Sequence, residues 1–354
     1  MKGGRTPRWA KSPDDVQEYI TKAHAQCTSA NSILRSGGSI HIGIIDSACR
    51  LPPHLTNRHT INGGDDHSFI DDDEDDTTRH GTAVFRRISA FAPEAKVSLY
   101  QAVRDDRKLP IEAYSGAVTQ AIKDDVDILN LSAGVPWRHP VHLNPLVMET
   151  NRLINAGITV VAAAGNHFPG RYDERPPVHC PSAAKDVISV GGLVVKCPRD
   201  PGHESASEPE GPYYWLTHDP GFRAEVSPDI GVYCGELGCV GGTDCADHRQ
   251  PQPWDLNPLP TDDKPDVLAP MHIIRRRETS TEHGWEYLAT GTSFSAPLVT
   301  GTLASIFGQL RDDGDGIPRP REVRQAVRTG AKEFDADLGP RYDAEGVLNE
   351  LRSV

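Results

Sequence analysis

From Ile40 onward the chain is punctuated by short apolar runs without polar alternation: Ile40–Ile45, Val97–Val103, Val126–Leu131, Ile158–Ala164, Val187–Val195 and Val267–Ala269. Uniformly apolar, β-branched runs of this length suit strands covered on both faces. Helical patterns fill the gaps between them, as at Ile111–Lys123 and Pro145–Asn155, the second stopped by Ala156-Gly157. Two more lie near the end, at Thr292–Leu310 and Arg319–Lys332. Alternating strands and helices predict an α/β fold of three layers: a doubly wound, mostly parallel sheet with helices on both faces. Ligands should then bind beyond the C-terminal strand ends.

Two stretches stand outside that rhythm. Residues 1–38 read as a peripheral N-terminal helical extension. Ser12 is a capping hydroxyl, Pro13 suits the first helical position, Asp14 and Asp15 face the helix dipole, and Ser36-Gly37-Gly38 ends the segment. Residues 196–263 are rich in Pro, Gly, Asp and Cys and hold no sustained period. They read as a surface insertion within one domain covering 39–354, not as a second domain.

Composition narrows the function classes. With 37% apolar and 25% charged residues the chain has a globular make-up, and no apolar run approaches the roughly 18 residues of a membrane span. A formal net charge of −13 argues against nucleic acid, because phosphate binding needs a concentrated basic face. The basic residues after Met1 are not followed by the apolar core of a secretory leader, and seven cysteines are an odd number in a chain of this size. Both features predict a reduced, cytoplasmic setting.

Three segments carry chemistry, each where a strand or loop meets a helix. Ile42-Gly43-Ile44-Ile45-Asp46-Ser47 delivers a carboxylate as a buried strand emerges, Arg79-His80-Gly81-Thr82-Ala83-Val84 a histidine at the mouth of a helix, and Gly291-Thr292-Ser293-Phe294-Ser295-Ala296-Pro297 a serine at a helix start. A serine hydroxyl is a poor nucleophile until an imidazole can take its proton, and the imidazole needs a carboxylate to fix its tautomer. Val160-Val161-Ala162-Ala163-Ala164-Gly165-Asn166 adds an amide donor at another strand end, suited to a developing oxyanion beside the Ser293 N–H. Taken singly each residue has an ordinary reading: Asp46 a strand-end acid, His80 a loop ending, Ser293 an N-cap, Asn166 a turn residue.

Taken in order, Asp46, His80, Asn166 and Ser293 within IIDS, HGTAV, VVAAAGN and GTSFSAP resemble the subtilisin-like serine peptidases. Three further segments extend the resemblance: Leu129–Gly134, Lys264–Pro270 and Tyr342–Asn349. The resemblance implies a serine endopeptidase with Asp46, His80 and Ser293 as its triad and Asn166 as its oxyanion donor. It implies an extended peptide bound between Ser132, Ala133 and Gly134 on one side and Ala163, Ala164 and Gly165 on the other, with no cofactor or metal needed for the chemistry. The expected partner is a protein or peptide substrate, one cognate protein being one form of it, for a selective intracellular processing enzyme. The alternative is a non-catalytic peptide-binding pseudoprotease or scaffold.

The chain also departs from the family. Phe85-Arg86-Arg87 follows the histidine where small residues are usual, Val84 stands where some branches carry Cys, and the helix runs into Ala92-Pro93-Glu94-Ala95 without the loop that often binds calcium there. Residues 1–39 are fewer than the family's usual propeptide. Asp71–Asp76 offers hard oxygen ligands for Ca²⁺ without the spacing of a cage, and reads as a solvated acidic loop. Cys197, Cys234, Cys239 and Cys245 are four soft ligands for structural Zn²⁺, with unpaired thiols as the alternative. Cys27, Cys49 and Cys180 read as small buried hydrophobes. Asp173 and Glu174, after Asn166, stand where a carboxylate would select Arg or Lys before the cleaved bond, unless they pair with Arg171 or Arg175.

Overall fold

Strand β1 (His41–Asp46) is buried along its whole length, so it needs neighbours on both edges and cover on both faces. The computed structural model describes residues 21, 24–25, 28–33, 38–47, 49, 67–68, 80–104, 108–135, 137, 140–166, 178–195, 224–226, 264–276, 285–335 and 339–353. After β1 come β2 (His67–Ser68), α1 (His80–Phe91), β3 (Lys96–Gln101), α2 (Ile111–Lys123), β4 (Ile128–Leu131), α3 (Pro145–Asn155), β5 (Thr159–Ala163) and β6 (Ile188–Val195). Then follow β7 (Ala224–Val226), β8 (Val267–Pro270), β9 (His272–Arg276), β10 (Trp285–Thr290), α4 (Thr292–Asp312), α5 (Pro320–Thr329), β11 (Lys332–Asp335), β12 (Gly339–Arg341) and α6 (Ala344–Arg352).

The main sheet runs β11-β12-β8-β6-β5-β4-β1-β3-β2, parallel except for the antiparallel pairs β11–β12 and β6–β7. From β1 the chain winds outward to β3, then crosses back to β4 on the other edge of β1 and continues through β5 and β6. The winding therefore reverses between β1 and β4, the place where open α/β sheets open a crevice at their C-terminal strand ends. The expected doubly wound architecture is what the chain adopts. Each strand feeds two cores: Ile42, Ile44, Val161 and Ala163 join the core under α1, α4, α5 and α6, while Ile45, Val160 and Ala162 join the one under α2 and α3.

Local chemistry sets the helix limits. Asn144 caps α3 by accepting the Leu146 N–H at 2.8 Å, Pro145 occupies the first turn, and Gly157 follows at φ +90°. Across β8, buried Asp266 accepts from the Ser189 N–H at 2.9 Å, Lys264 Nζ at 2.8 Å and Arg324 Nε at 3.0 Å, tying β6, β8 and α5 together. The helix α4 is buried from Thr292 to Leu310 and passes α1 with Gly301 against Ile88. A Cβ at Gly301 would sit 2.6 Å from the Ile88 carbonyl oxygen and 3.0 Å from Phe91 Cβ, and Ser305 Oγ donates to the Phe91 carbonyl at 2.7 Å.

Three expectations need correction. The helix expected over Arg319–Lys332 ends at Thr329, because Gly330 caps it and Lys332 opens β11 instead. Residues 21–33, expected at the periphery, are partly buried where described: Ala25, Ala30 and Ile33 lie in the core under α1 and α4, while Asn31 and Ser32 are exposed. The Ala344 N–H donates to the Thr28 carbonyl at 2.8 Å, which fastens that segment to α6. Within 196–263 the short strand β7 pairs antiparallel with the end of β6, so part of the insertion joins the sheet. The Ser12–Asp15 helix start, Asp71–Asp76 and all four insertion cysteines lie outside the described residues. Cys180 is buried, which pushes its thiol up to about 12, whereas Cys49 is half-buried.

Gly301→Ala forces an extra carbon against the backbone of α1, which has no flexible side-chain end to move aside. The variant is expected to lose about 1–3 kcal/mol, the usual cost of overpacking a filled core. Chemical denaturation measures it, and an unchanged midpoint would show that the two helices can part freely.

Candidate active site

Asp46 ends β1 on the face that Ile42 and Ile44 present to α1 and α4, since alternate strand residues share a face. Its side chain is 3% exposed, and Oδ1 lies 2.7 Å from His80 Nδ1. An ionised carboxylate can only accept, so Nδ1 carries the proton and Nε2 is the basic nitrogen. The same Oδ1 accepts from the Ser47 N–H at 2.7 Å, with Ser47 Oγ at 3.3 Å. Ser47 Oγ in turn accepts the Gly81 N–H at 3.2 Å, one of the first-turn donors of α1 that lack a helical acceptor. Ser47 thus pins the start of α1 to the end of β1. Asp46 Oδ2 is buried with no hydrogen-bond partner among the described residues. The imidazole is one-third exposed and rests against Phe294, with ring centroids 5.5 Å apart.

Ser293 lies in the first turn of α4, where its own N–H has no intrahelical acceptor. Four residues on, Pro297 has no N–H to give to the Ser293 carbonyl. That carbonyl accepts from Ser132 Oγ at 2.8 Å instead, while Ser293 Oγ donates to the Ser132 carbonyl at 3.0 Å. Behind the pair stands a directed chain: Thr300 Oγ1 donates to Asn130 Oδ1 at 3.0 Å, and Asn130 Nδ2 donates to Ser132 Oγ at 3.0 Å. With its proton committed to Ser293, Ser132 can take only an incoming donor, which Asn130 supplies. The nucleophile candidate and the strand opposite are thereby fixed to each other.

Asn166 follows the end of β5. Its Oδ1 accepts the Thr292 N–H at 3.0 Å and lies 3.0 Å from Thr292 Oγ1, so the amide oxygen faces the helix. Thr292 Oγ1 also accepts the Gly165 N–H at 3.1 Å and stands 3.1 Å from the Gly165 carbonyl. Gly165 has φ +117°, and a Cβ there would meet the His179 ring at 2.6 Å, so both backbone and space demand glycine. His179 hangs from the Ala164 carbonyl, and Cys180 pairs with Val135 beyond Gly134. Ala163, Ala164 and Gly165 therefore face Ser132, Ala133 and Gly134 across a gap that residues 178–180 close at one end.

The structure brings Asp46 and His80 into direct contact and sets the imidazole beside the first turn of α4. It does not join Ser293 to His80, because the hydroxyl proton points to the Ser132 carbonyl. Asn166 reaches Thr292 and not Ser293 itself. Asp173 and Glu174 lie outside the described residues. Sequence reasoning passed over Ser47, Thr292 and His179 as parts of the site. Ser47 and Thr292 were visible only as neighbours of Asp46 and Ser293, and nothing local marked His179 as the wall behind Gly165. Among the described residues no group of three His, Cys, Asp or Glu is placed to hold a metal ion, and no helix is long and apolar enough to cross a membrane.

Comparison with known proteins fits this arrangement. The sequence profile of the subtilase family matches residues 37–347. The chain belongs to the subtilase family. Among curated subtilases it is 31% identical over 177 residues to the major intracellular serine protease of Bacillus subtilis, covering 45% of this chain and 52% of that one. It is 23% identical over 235 residues to serine protease AprX of the same organism, covering 65% of this chain and 43% of AprX. The chain thus spans about half the length of these relatives or less. Among solved structures a lanthipeptide protease superposes with TM-score 0.64 at 19% identity, over 99% of this chain and 100% of that one. The nisin leader peptidase NisP from Lactococcus lactis superposes with TM-score 0.58 at 17% identity, over 95% and 94%. At such identity these two report the subtilase fold alone.

Thr292 is buried and its hydroxyl is the acceptor for the Gly165 N–H, so Thr292→Val leaves that donor stranded. The expected loss is about 1–3 kcal/mol of stability, while Thr292→Ser stays near wild type. Equal unfolding midpoints for the two variants would remove the hydroxyl from this role.

Proposed function

We propose that this subtilase is a serine endopeptidase in which Asp46, His80 and Ser293 form the triad and Asn166 supports the oxyanion. The observation that carries the reading is the contact of buried Asp46 with His80 at 2.7 Å, beside the first turn of α4, at the reversal of the sheet. Catalysis begins with rotation of Ser293 about χ1, which carries Oγ from the Ser132 carbonyl toward His80, a change between staggered wells. His80 Nε2 takes the hydroxyl proton as Oγ attacks the scissile carbonyl, and Asp46 stabilises the imidazolium. The charge growing on the carbonyl oxygen meets the Ser293 N–H and Asn166 Nδ2. The imidazolium passes its proton to the leaving amine, and water then releases the acyl group by the same steps.

The substrate lies extended, its backbone pairing with Ser132–Gly134 and its side chain before the scissile bond entering the gap toward Ala163–Gly165. A selective processing role, acting on one cognate peptide or protein inside the cell, is supported by two solved structures of matching size and fold, a lanthipeptide protease and a leader peptidase. That support is analogy of fold. The rival reading is a peptide-binding pseudoprotease, which keeps the cleft and lacks the chemistry.

A fluorophosphonate probe separates the two. Wild type is expected to be labelled and Ser293→Ala is not, with peptide hydrolysis lost in both Ser293→Ala and His80→Ala while the fold persists. Labelling of neither protein would leave the pseudoprotease reading standing. Asn166→Leu is expected to lower kcat by about 10²–10³ with little change in KM, as loss of an oxyanion donor does in other serine peptidases. An unchanged kcat removes Asn166 from the mechanism.

A further inference from the structure

The two helices that carry His80 and Ser293 are also linked through one strand end. Ser295, two residues past Ser293 on α4, donates its hydroxyl to the Ala269 carbonyl at 2.8 Å. Arg87, two turns past His80 on α1, donates Nη2 to the next carbonyl, Pro270, at 3.2 Å. Successive carbonyls of β8 thus take one hydrogen bond from each helix. The second proton of Arg87 Nη2 goes to His24 Nδ1 at 2.6 Å. A guanidinium only donates, so His24 presents a bare Nδ1 and its imidazole is neutral.

Arg87 is unusual in its setting. It is 1% exposed, His24 is 2% exposed, and among the described residues neither Nε nor Nη1 of Arg87 has a hydrogen-bond partner. Its remaining contact is the Phe91 ring, 5.6 Å away, which meets the cation with its π-face. Burial alone pulls the guanidinium down to about 9, still charged at neutral pH. A buried cation with no carboxylate beside it among the described residues is a poor way to stabilise a fold. What it supplies is direction: one nitrogen, two acceptors, and a helix held at a set height against β8.

The geometry points to Arg87 as a positioning residue for His80, with His24 of the N-terminal segment as the acceptor that aims it. The segment around His24 is on this view a standing part of the catalytic apparatus. It rests on the serine-peptidase reading above, and the departure Phe85-Arg86-Arg87 from the small residues usual in the family gains a purpose.

The test uses the full chain and compares kcat, KM, the rate of fluorophosphonate inactivation and the melting temperature. Arg87→Met removes the buried charge and keeps an unbranched apolar stem, so the melting temperature should stay within a few degrees of wild type. The kcat and the inactivation rate should both fall by about ten- to a hundred-fold, with KM unchanged, as expected when a reacting group is displaced. His24→Leu should fall to the same level, the double variant should be no slower than either, and His24→Asn, whose Oδ1 replaces Nδ1 as acceptor, should recover most of the rate. A purely structural role predicts the reverse: lower melting temperature with normal kcat in the molecules that remain folded. Normal kcat in folded Arg87→Met overturns the inference. Should that variant not fold, equal rates for His24→Leu and His24→Asn overturn it as well. An unreactive wild type overturns the peptidase reading, and this inference with it.

Discussion

The crossing of α1 and α4 at Gly301 is the constraint on which the rest depends. Gly301 lies as far along α4 from Ser293 as Ile88 lies along α1 from His80, eight residues in each case. At 1.5 Å per residue the two side chains stand about 12 Å from the contact, each on its own rigid arm. The angle and separation at the contact therefore set the distance between imidazole and hydroxyl. With no side chain at 301 the arms approach backbone to backbone, and Ser305 closes the far side of the crossing on the Phe91 carbonyl. Since α4 is buried from Thr292 to Leu310, its hydroxyls beyond the first turn bond to protein acceptors. Thr302 is spent on the carbonyl one turn back, and Thr300 divides its contacts between the Ala296 carbonyl and Asn130.

Around the cleft several polar groups are held by partners from distant parts of the chain. Pro297 deprives the Ser293 carbonyl of its helical donor, and Ser132 fills the vacancy. Thr292 occupies Asn166 Oδ1 and so determines which end of the amide is offered to the gap. Ser47 occupies the Gly81 N–H and Asp46 Oδ1 together. In the proposed mechanism the Ser293 N–H and Asn166 Nδ2 are the donors for the oxyanion, and donors fixed in advance need no reorganisation as charge develops.

Much of this architecture was legible in the chain. The uniformly apolar runs marked β1, β3, β4, β5, β6 and β8, because strands covered on both faces leave no polar alternation to read. Ile111–Lys123 and Pro145–Asn155 matched α2 and α3 at both ends, where Pro, Asn and Gly give sharp signals. The ribbon β9–β10 and the pair β11–β12 left no such trace, since they are short and of mixed polarity. The pairing of Asp46 with His80 followed from the motifs, but the commitment of the Ser293 hydroxyl to Ser132 did not. Rotamer choice depends on neighbours from distant parts of the chain, and so does the use of Thr292 as a clamp. Burial of Ala25, Ala30 and Ile33 was equally hidden, because three apolar positions in a polar stretch show no period until the surface they cover is known.

Arg87 shows how a departure from a family pattern can be read. In the sequence it looked like an intrusion, a long cation where the helix behind the histidine ought to be small. The structure places it on the inner side of α1, with a segment from the start of the chain laid over it. The two features require each other. Without His24 the guanidinium would lose this nitrogen acceptor, and without Arg87 the buried His24 Nδ1 would lose this donor. Such mutual dependence is costly in stability, and apolar packing would fill the same volume at less expense. A directed hydrogen bond differs from apolar packing in that it fixes orientation as well as contact. On a helix whose first residue is His80, orientation is the property that the proposed proton transfer at His80 demands.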